Sequence, residues 1–251
     1  MIIDVHAHLG WDTVFEDDFT KDELLQSQET NGIDTTIVQP GICHDLRTVQ
    51  KQHDAIAELA CAFPGRFCGM ANPNPHLPEK EYSAELRRCT TTLGFVGVKL
   101  HPHGHCLSPD SAAGRMVFGL AQELGIPVMI HTGAGIPWAL PANILPVARQ
   151  FPDVRIVMAH AGHMLMASEA LTVATYCPNV YLETSWTGGF LVRHFAENLG
   201  AHRLLFGSDH ADNAATELTK LRTARLSAEQ LCWCLGKTAA SIYRLKGLPP
   251  S

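Results

Sequence analysis

The chain has 251 residues, 46% of them hydrophobic, with 25 acidic against 19 basic residues and a formal net charge of −6. That length suits one barrel of ~250 residues, while the acidic balance offers no basic patch for nucleic acid or an anionic membrane surface. No apolar run approaches the ~20 residues that span a bilayer.

The N-terminus carries Asp4 inside a strand pattern, so it is read as part of the fold and not as a signal peptide. The eight cysteines (Cys43, Cys61, Cys68, Cys89, Cys106, Cys177, Cys232 and Cys234) are scattered and form no C-x-x-C pair, and Cys232 and Cys234 fall on different faces of a helix. Reduced thiols in a cytoplasmic protein are expected.

Residues 1–8 run from apolar strand into His6-x-His8, two side chains pointing the same way. Residues 11–19 read as a loop, and 20–31 as a helix stopped by Gly32. A β-branched strand follows at 35–40, a helix at 44–63 and a strand at 67–73. Residues 79–92 are helical and 95–101 form a fourth strand; Ser108 or Asp110 caps a helix that ends before Gly125.

Strands are predicted at 127–133, 155–162, 180–185 and 203–209, with helices at 141–151, 165–176 and 188–199 between them. Residues 213–245 form two or three helices and 248–251 a tail. Eight mostly apolar strands alternating with helices predict an α/β fold, a closed (β/α)8 TIM barrel, as one domain over 1–251. A doubly wound open sheet would place a Gly-rich phosphate turn after the first strand, where this chain has two histidines.

Barrel chemistry collects at the C-terminal strand ends. Those ends carry His6 and His8 on the first strand, Lys99 and His101 on the fourth, His131 on the fifth and His160 on the sixth. Glu183 and Ser185 come from the seventh and Asp209 from the eighth. Such a set suits a catalytic divalent ion with a base nearby.

His131 and His160 could instead be core histidines, and Asp209 a helix cap. A buried carboxylate among histidines is costly without a cation, which favours the ligand reading. His101, His103 and His105 read as a polar loop at the mouth, and His163 and His210 as contacts of ligands or substrate. Trp11, Trp138 and Trp186 are candidate pocket walls. Arg193, Arg203 and Arg244 are candidate carboxylate clamps of equal standing.

Five ordered motifs, Ile3-Asp4-Val5-His6-Ala7-His8, Gly97-Val98-Lys99-Leu100-His101-Pro102, Pro127-Val128-Met129-Ile130-His131, His160-Ala161-Gly162 and Phe206-Gly207-Ser208-Asp209, together with the closing stretch 236–245, resemble the amidohydrolase superfamily of metal-dependent (β/α)8 enzymes. The likeness is greatest to its short branch, which includes aminocarboxymuconate-semialdehyde decarboxylase, γ-resorcylate decarboxylase and lactone hydrolases. The resemblance implies that His6, His8, His131 and Asp209 hold one divalent ion, zinc foremost, and that His160 activates water or contacts substrate. Two-metal relatives use a carboxylated lysine as a bridge with His131 and His160 on the second ion, so Lys99 allows two ions if it is carboxylated.

The reaction expected first is hydrolysis, in which metal-activated water attacks an ester, lactone or amide carbonyl of a small molecule. Asp209 takes the water's proton and returns it to the leaving group, while His160 orients the carbonyl. The alternative is metal-dependent non-oxidative decarboxylation of a small unsaturated or aromatic acid. Decarboxylases of the branch tend to be longer, and several read Glu-x-His-x-His where this chain has Asp4. The compact loops therefore favour the hydrolase by analogy. A catalytically inactive binding barrel would have lost ligand positions, and all are filled. A homo-oligomer is allowed by the sequence.

Overall fold

The computed structural model describes residues 1–133, 136–243 and 245; Arg244 and the tail at 248–251 lie outside the described residues. Its strands are β1 (Ile3–Trp11), β2 (Asp18–Phe19), β3 (Thr35–Pro40), β4 (Phe67–Gly69), β5 (Val98–Leu100), β6 (Val128–His131), β7 (Ile156–Ala159), β8 (Val180–Glu183) and β9 (Leu204–Leu205). They form two sheets, β2-β1-β3-β4 and β5-β6-β7-β8-β9, parallel except for β2.

Backbone hydrogen bonds join the two sheets at both seams. Beyond β4, the Ala71 N–H donates to the Gly97 carbonyl (3.0 Å) and the Lys99 N–H to the Ala71 carbonyl (2.7 Å). At the other seam the Val5 N–H donates to the Phe206 carbonyl (3.1 Å) and the Asp209 N–H to the His6 carbonyl (2.7 Å). The fold is the eight-stranded parallel barrel expected from the strand–helix alternation, and β9 meets β1 as the grouping of Asp209 with His6 requires.

The helices are α1 (Lys21–Asn31), α2 (Leu46–Ala62), α3 (Glu79–Arg87), α4 (Ala112–Leu124), α5 (Leu145–Gln150), α6 (Ala167–Tyr176), α7 (Gly189–Leu199), α8 (Ala214–Thr223), α9 (Ala228–Cys232) and α10 (Thr238–Tyr243). Thr20 and Glu23 form a reciprocal capping box on α1, and Gly32 ends it in the left-handed conformation that a side chain would resist. The cap of α4 is Ser111, accepting from the Gly114 N–H, and not Ser108 or Asp110. Residues 109–110 form a turn, and Ser111 after it has the extended backbone a cap needs (φ −69°, ψ 166°).

Side-chain alternation along the strands sorts two cores. Val98, Leu100, Val128, Ile130, Ile156, Met158, Val180, Leu182 and Leu204 face the helices. Ile3, Val5, Ile37, Met70, Met129, Val157 and Leu205 face inward, where Ala239, Ile242 and Tyr243 of α10 join them. Lys99, His131 and Glu183 also fall in the inward phase of their strands: Lys99 pairs in register with Met129 and Glu183 with Leu205, while His131 lies two residues beyond Met129.

The stretch 11–19 departs from the predicted loop. β1 continues to Trp11 and turns back antiparallel through β2, pairing Gly10 with Phe19. The hairpin is not visible in the sequence, because two residues of strand carry no periodicity. All eight cysteines are free. Among the described residues no helix is long and apolar enough to cross a membrane.

Candidate active site

The register of β1 against β3 shifts between Asp4 and Ala7. This irregularity lets Val5 pack in the interior while both His6 and His8 reach the polar layer above it. Asp4 does not join the histidines. It accepts from the Ser208 N–H (3.0 Å), the Ser208 hydroxyl (2.6 Å) and the His6 N–H (3.1 Å), latching β1 to the segment after β9. Burial pushes its carboxyl up to about 7, against the pull of those hydrogen bonds.

Three side chains converge at this seam. Oδ1 of Asp209 lies 3.0 Å from Nε2 of His6 and 3.3 Å from Nε2 of His8, and the three ligand atoms all lie within 4.8 Å of one another. Gly207 makes room for the strand end, since a Cβ there would stand 2.8 Å from both the Glu183 carboxyl carbon and the His6 Cβ. Asp209 itself sits at φ +65°. His160, Ala161, His163 and Trp186 also have positive φ, so five of the eight non-glycine residues with positive φ among the described residues flank this site. Such backbone strain, about 1–3 kcal/mol per residue, persists where surrounding contacts over-determine it, and it gathers at functional sites.

Glu183 organises the imidazoles from below. It is wholly buried and accepts from Nδ1 of His6 (2.9 Å), the His160 N–H (3.1 Å), the Ser185 hydroxyl (2.9 Å) and the Ser185 N–H. An ionised carboxylate only accepts, so the Ser185 hydroxyl proton points at Glu183 and its oxygen takes Nδ1–H of His160 at 2.8 Å. Both imidazoles therefore carry their proton on Nδ1 and present a bare Nε2. Burial holds His6, His131 and His160 well below the usual histidine range, keeping them neutral as ligands must be.

This donor set fits a divalent cation. Lone pairs of two neutral imidazoles and a carboxylate oxygen face one point, an arrangement that repels itself unless positive charge sits there. Lys99 supplies some: its Nζ donates to Nε2 of His6 at 2.9 Å, and burial lowers its amine to about 8 against the opposing charges of Asp209 and Glu183. His8 Nδ1 and the neighbouring Gln39 Oε1 are buried without a partner.

A second grouping of His6, His160 and Glu183 shares His6, and its members are already bonded to one another. His131 belongs to neither grouping; its ring lies 4.9 Å from that of His160. A third grouping, His53 with Glu85 and Cys89, lies away from the strand ends. Its imidazole is used on both sides, Nδ1 by Glu85 (2.7 Å) and Nε2 by the Asn72 N–H (3.0 Å), which makes it a structural link.

Above the convergence point is a cavity of about 260 Å³ that includes His101, His131, His160 and His163 in its wall. Phe15, Phe19, Trp186 and His210 contribute to its rim, together with the carboxylates of Asp12 and Asp17. Phe19 of the hairpin stacks on His8 (5.1 Å between ring centres), and the Trp186 indole N–H donates to Asp209 Oδ2 at 2.8 Å. Of the three tryptophans proposed as walls, Trp186 lines this cavity; Trp11 and Trp138 are exposed outside it. The run His101–His105 is not a solvated loop, for His101 and His105 are buried.

Of the arginines named as clamps, Arg193 and Arg203 are not among the residues lining the cavity, and Arg244 lies outside the described residues. Arg203 binds the carbonyls of Ala174, Cys177 and Val180, and Arg193 pairs with Glu197. The sequence reading left Glu183 out of the site proper, along with Gln39 and Phe19. Glu183 was visible as an acid at a strand end, but the hydrogen bonds that make it the hub cross 177 and 23 residues of chain.

A parallel barrel whose strand ends turn neutral imidazoles and one carboxylate onto a single point defines a metal-dependent barrel enzyme. The chain belongs to the amidohydrolase family, whose description it matches over residues 3–245. A curated relative, 2-keto-4-carboxy-3-hexenedioate hydratase of a Sphingobium species, is 27% identical over 191 residues. That match takes in 58% of this chain and 54% of the relative, so the chain matches about half of the relative's length.

Among solved structures, 5-carboxyvanillate decarboxylase from Sphingomonas paucimobilis superposes with a TM-score of 0.78 at 18% identity, covering 98% of this chain and 99% of that one. A dihydroxybenzoic acid decarboxylase from Polaromonas, solved with bound manganese and the inhibitor 2-nitroresorcinol, gives a TM-score of 0.74 at 17% identity and 98% coverage of each chain. These two likenesses establish the fold.

Proposed function

We propose that this protein is a metal-dependent lyase that removes carbon dioxide, without oxidation, from a small unsaturated or aromatic acid. The observation that carries the reading is the shape of the site: a narrow cavity with aromatic rings and neutral imidazoles in its walls, set directly on the His6, His8 and Asp209 ligand atoms. Stacked walls of this kind suit a flat conjugated substrate. The decarboxylases and the hydratase that the chain resembles act as lyases, which supports this reading over the hydrolase expected from the compact loops. Hydrolysis of an ester, lactone or amide is supported only by the breadth of the family.

His6, His8 and Asp209 would hold the cation, a nitrogen-rich set compatible with manganese or zinc. When bound, the cation supplies a Lewis acid that grips the substrate's oxygens and draws electron density from the carbon that loses its carboxyl group. The protein's own groups do the rest. Phe15, Phe19 and Trp186 exclude water around the ring. As the carbon–carbon bond breaks, its electron pair stays on the ring carbon and carbon dioxide departs. The proton for that carbon comes from water or a substrate hydroxyl in the cavity: the bare Nε2 of His160, fixed by Ser185, accepts it and passes it on, forming the carbon–hydrogen bond and leaving the imidazole neutral again.

The test is carbon dioxide release from a panel of aromatic and unsaturated acids by protein loaded separately with manganese and zinc, run beside ester, lactone and amide panels. Acid-dependent carbon dioxide release supports the lyase; turnover confined to the acyl panels would return the protein to the hydrolases.

A further inference from the structure

His101 is held from three directions. Its Nδ1 lies 3.0 Å from the backbone nitrogen of Gly104. Its face stacks on His131, with ring centres 4.1 Å and planes 16° apart, and Phe15 leans on it at 5.9 Å. Gly104 allows the loop to fold back this far, because a Cβ there would stand 2.3 Å from Cδ1 of Ile42.

The contact to Gly104 fixes more than orientation. A backbone N–H can only donate, so Nδ1 must offer it a lone pair, and the ring's single proton sits on Nε2. That Nε2–H meets no acceptor among the described residues, although His101 lines the same cavity as Asp209 and His160. A locked ring with one unspent donor facing a cavity is built to read an acceptor on whatever fills it.

Resting on the lyase reading, we propose that His101 is a specificity-determining residue. Its Nε2–H donates to an uncharged oxygen of the substrate (a hydroxyl, methoxy or keto oxygen) beside the carboxyl group that is lost. A second carboxylate would call for a cationic reader instead, and among the described residues lining the cavity there is no arginine or lysine. The substrate is thus an oxygenated acid with a single carboxyl group.

The experiment uses metal-loaded protein and four probes: benzoate, 2-hydroxybenzoate, 2,6-dihydroxybenzoate and benzene-1,3-dicarboxylate. Binding is read by quenching of tryptophan fluorescence, since Trp186 borders the cavity, and turnover by carbon dioxide release. Wild type should bind the hydroxylated acids on the order of ten-fold more tightly than benzoate or the dicarboxylate, the discrimination expected of one neutral hydrogen bond.

His101→Ala should lose that preference while still binding benzoate, and His101→Gln, which carries an amide N–H to the same place, should restore most of it. An unchanged preference in His101→Ala overturns the proposal. So does an equal loss for all four probes, a wild type that favours the dicarboxylate, or failure of all four to bind at millimolar concentration. Preference in binding that depends on His101 without any carbon dioxide release supports this role and removes the lyase reading instead.

Discussion

Oε2 of Glu183 lies 2.9 Å from Nδ1 of His6, and the same oxygen receives the hydroxyl of Ser185, whose oxygen holds Nδ1 of His160. One carboxylate from β8 thereby sets the tautomer of an imidazole from β1 and another at the end of β7. Both rings turn Nε2 toward Asp209 and the cavity because their other nitrogen is engaged. Carboxylates behind ligating histidines fix ring orientation and raise ligand basicity.

Glu183→Gln should therefore weaken cation binding by roughly 10–100-fold, the range seen when such partners are replaced. A carboxamide oxygen in the place of Oε2 carries no full charge and accepts more weakly from His6 and Ser185, while its NH2 meets the Ser185 N–H that Oε1 now accepts, so the anchor of both rings is weakened. Chelator competition with manganese or zinc measures the affinity, and circular dichroism checks that the barrel has formed. An unchanged affinity in a folded variant would remove Glu183 from the tautomer argument.

The cation count follows from the same arrangement. The two candidate groupings at the strand ends share His6, whose Nδ1 is already given to Glu183, leaving Nε2 for a single ion with His8 and Asp209. Elemental analysis of purified protein should give one divalent ion per chain, and Lys99→Ala should leave that count at one. Two ions in wild type falling to one or none in Lys99→Ala would make Lys99 a bridge. Removing the ion with a chelator should abolish turnover, and manganese or zinc should restore it.

The barrel was legible because strand ends announce themselves locally: an apolar run stopping at histidine, lysine or aspartate is visible within six residues. His6, His8 and Asp209 come together as barrel closure predicts. The hairpin that lays Phe19 against His8 was not legible, since β2 has two residues and no pattern. The run 101–105 is the loop at the mouth that the sequence suggests, but the burial of His101 is not legible there, because an alternating His-x-His-x-His run is polar in sequence. The local Gly104 hydrogen bond and the tertiary stack on His131 hold it in place. His160 would face outward if β7 kept its alternation, and its φ of +64° is what turns the chain there.

Acid should unfold the protein in two stages, the second through Glu85. Burial pushes the Glu85 carboxyl up, but hydrogen bonds from His53, Arg88 and Gln50 outweigh it and hold the group well below its ordinary 4.5. Burial likewise lowers His53 below its ordinary 6.5, against the attraction of Glu85. Both groups bind fewer protons folded than unfolded, so each adds stability above its ordinary value and loses it as pH falls through that value. The stability curve should decline first below about pH 6.5 with the buried histidines, then more steeply below about 4.5. Glu85→Gln should cost about 1–3 kcal/mol at pH 7 by leaving His53 and Arg88 poorly matched. Its deficit should narrow below pH 4.5, as denaturant midpoints taken across the pH range would record; a constant deficit contradicts the linkage.

Trp186 gives a sharper test of the catalytic carboxylate, because it touches Asp209 on the side away from the histidines. Its indole N–H donates to Oδ2 at 2.8 Å while Oδ1 faces His6 and His8, so the bond fixes which oxygen meets the ligand point. The Trp186 backbone is itself held at φ +59°, with its N–H donated to Glu217 on α8 at 2.9 Å. Trp186→Phe keeps an aromatic wall and removes only the donor. One neutral-to-charged hydrogen bond at a half-exposed site contributes about 1 kcal/mol, so kcat should fall roughly five-fold with KM little changed. The carboxylate would then rotate between its two oxygens, and cation affinity should drop by a similar factor in chelator competition. A rise in KM at constant kcat would instead make Trp186 a wall for substrate with no hold on Asp209.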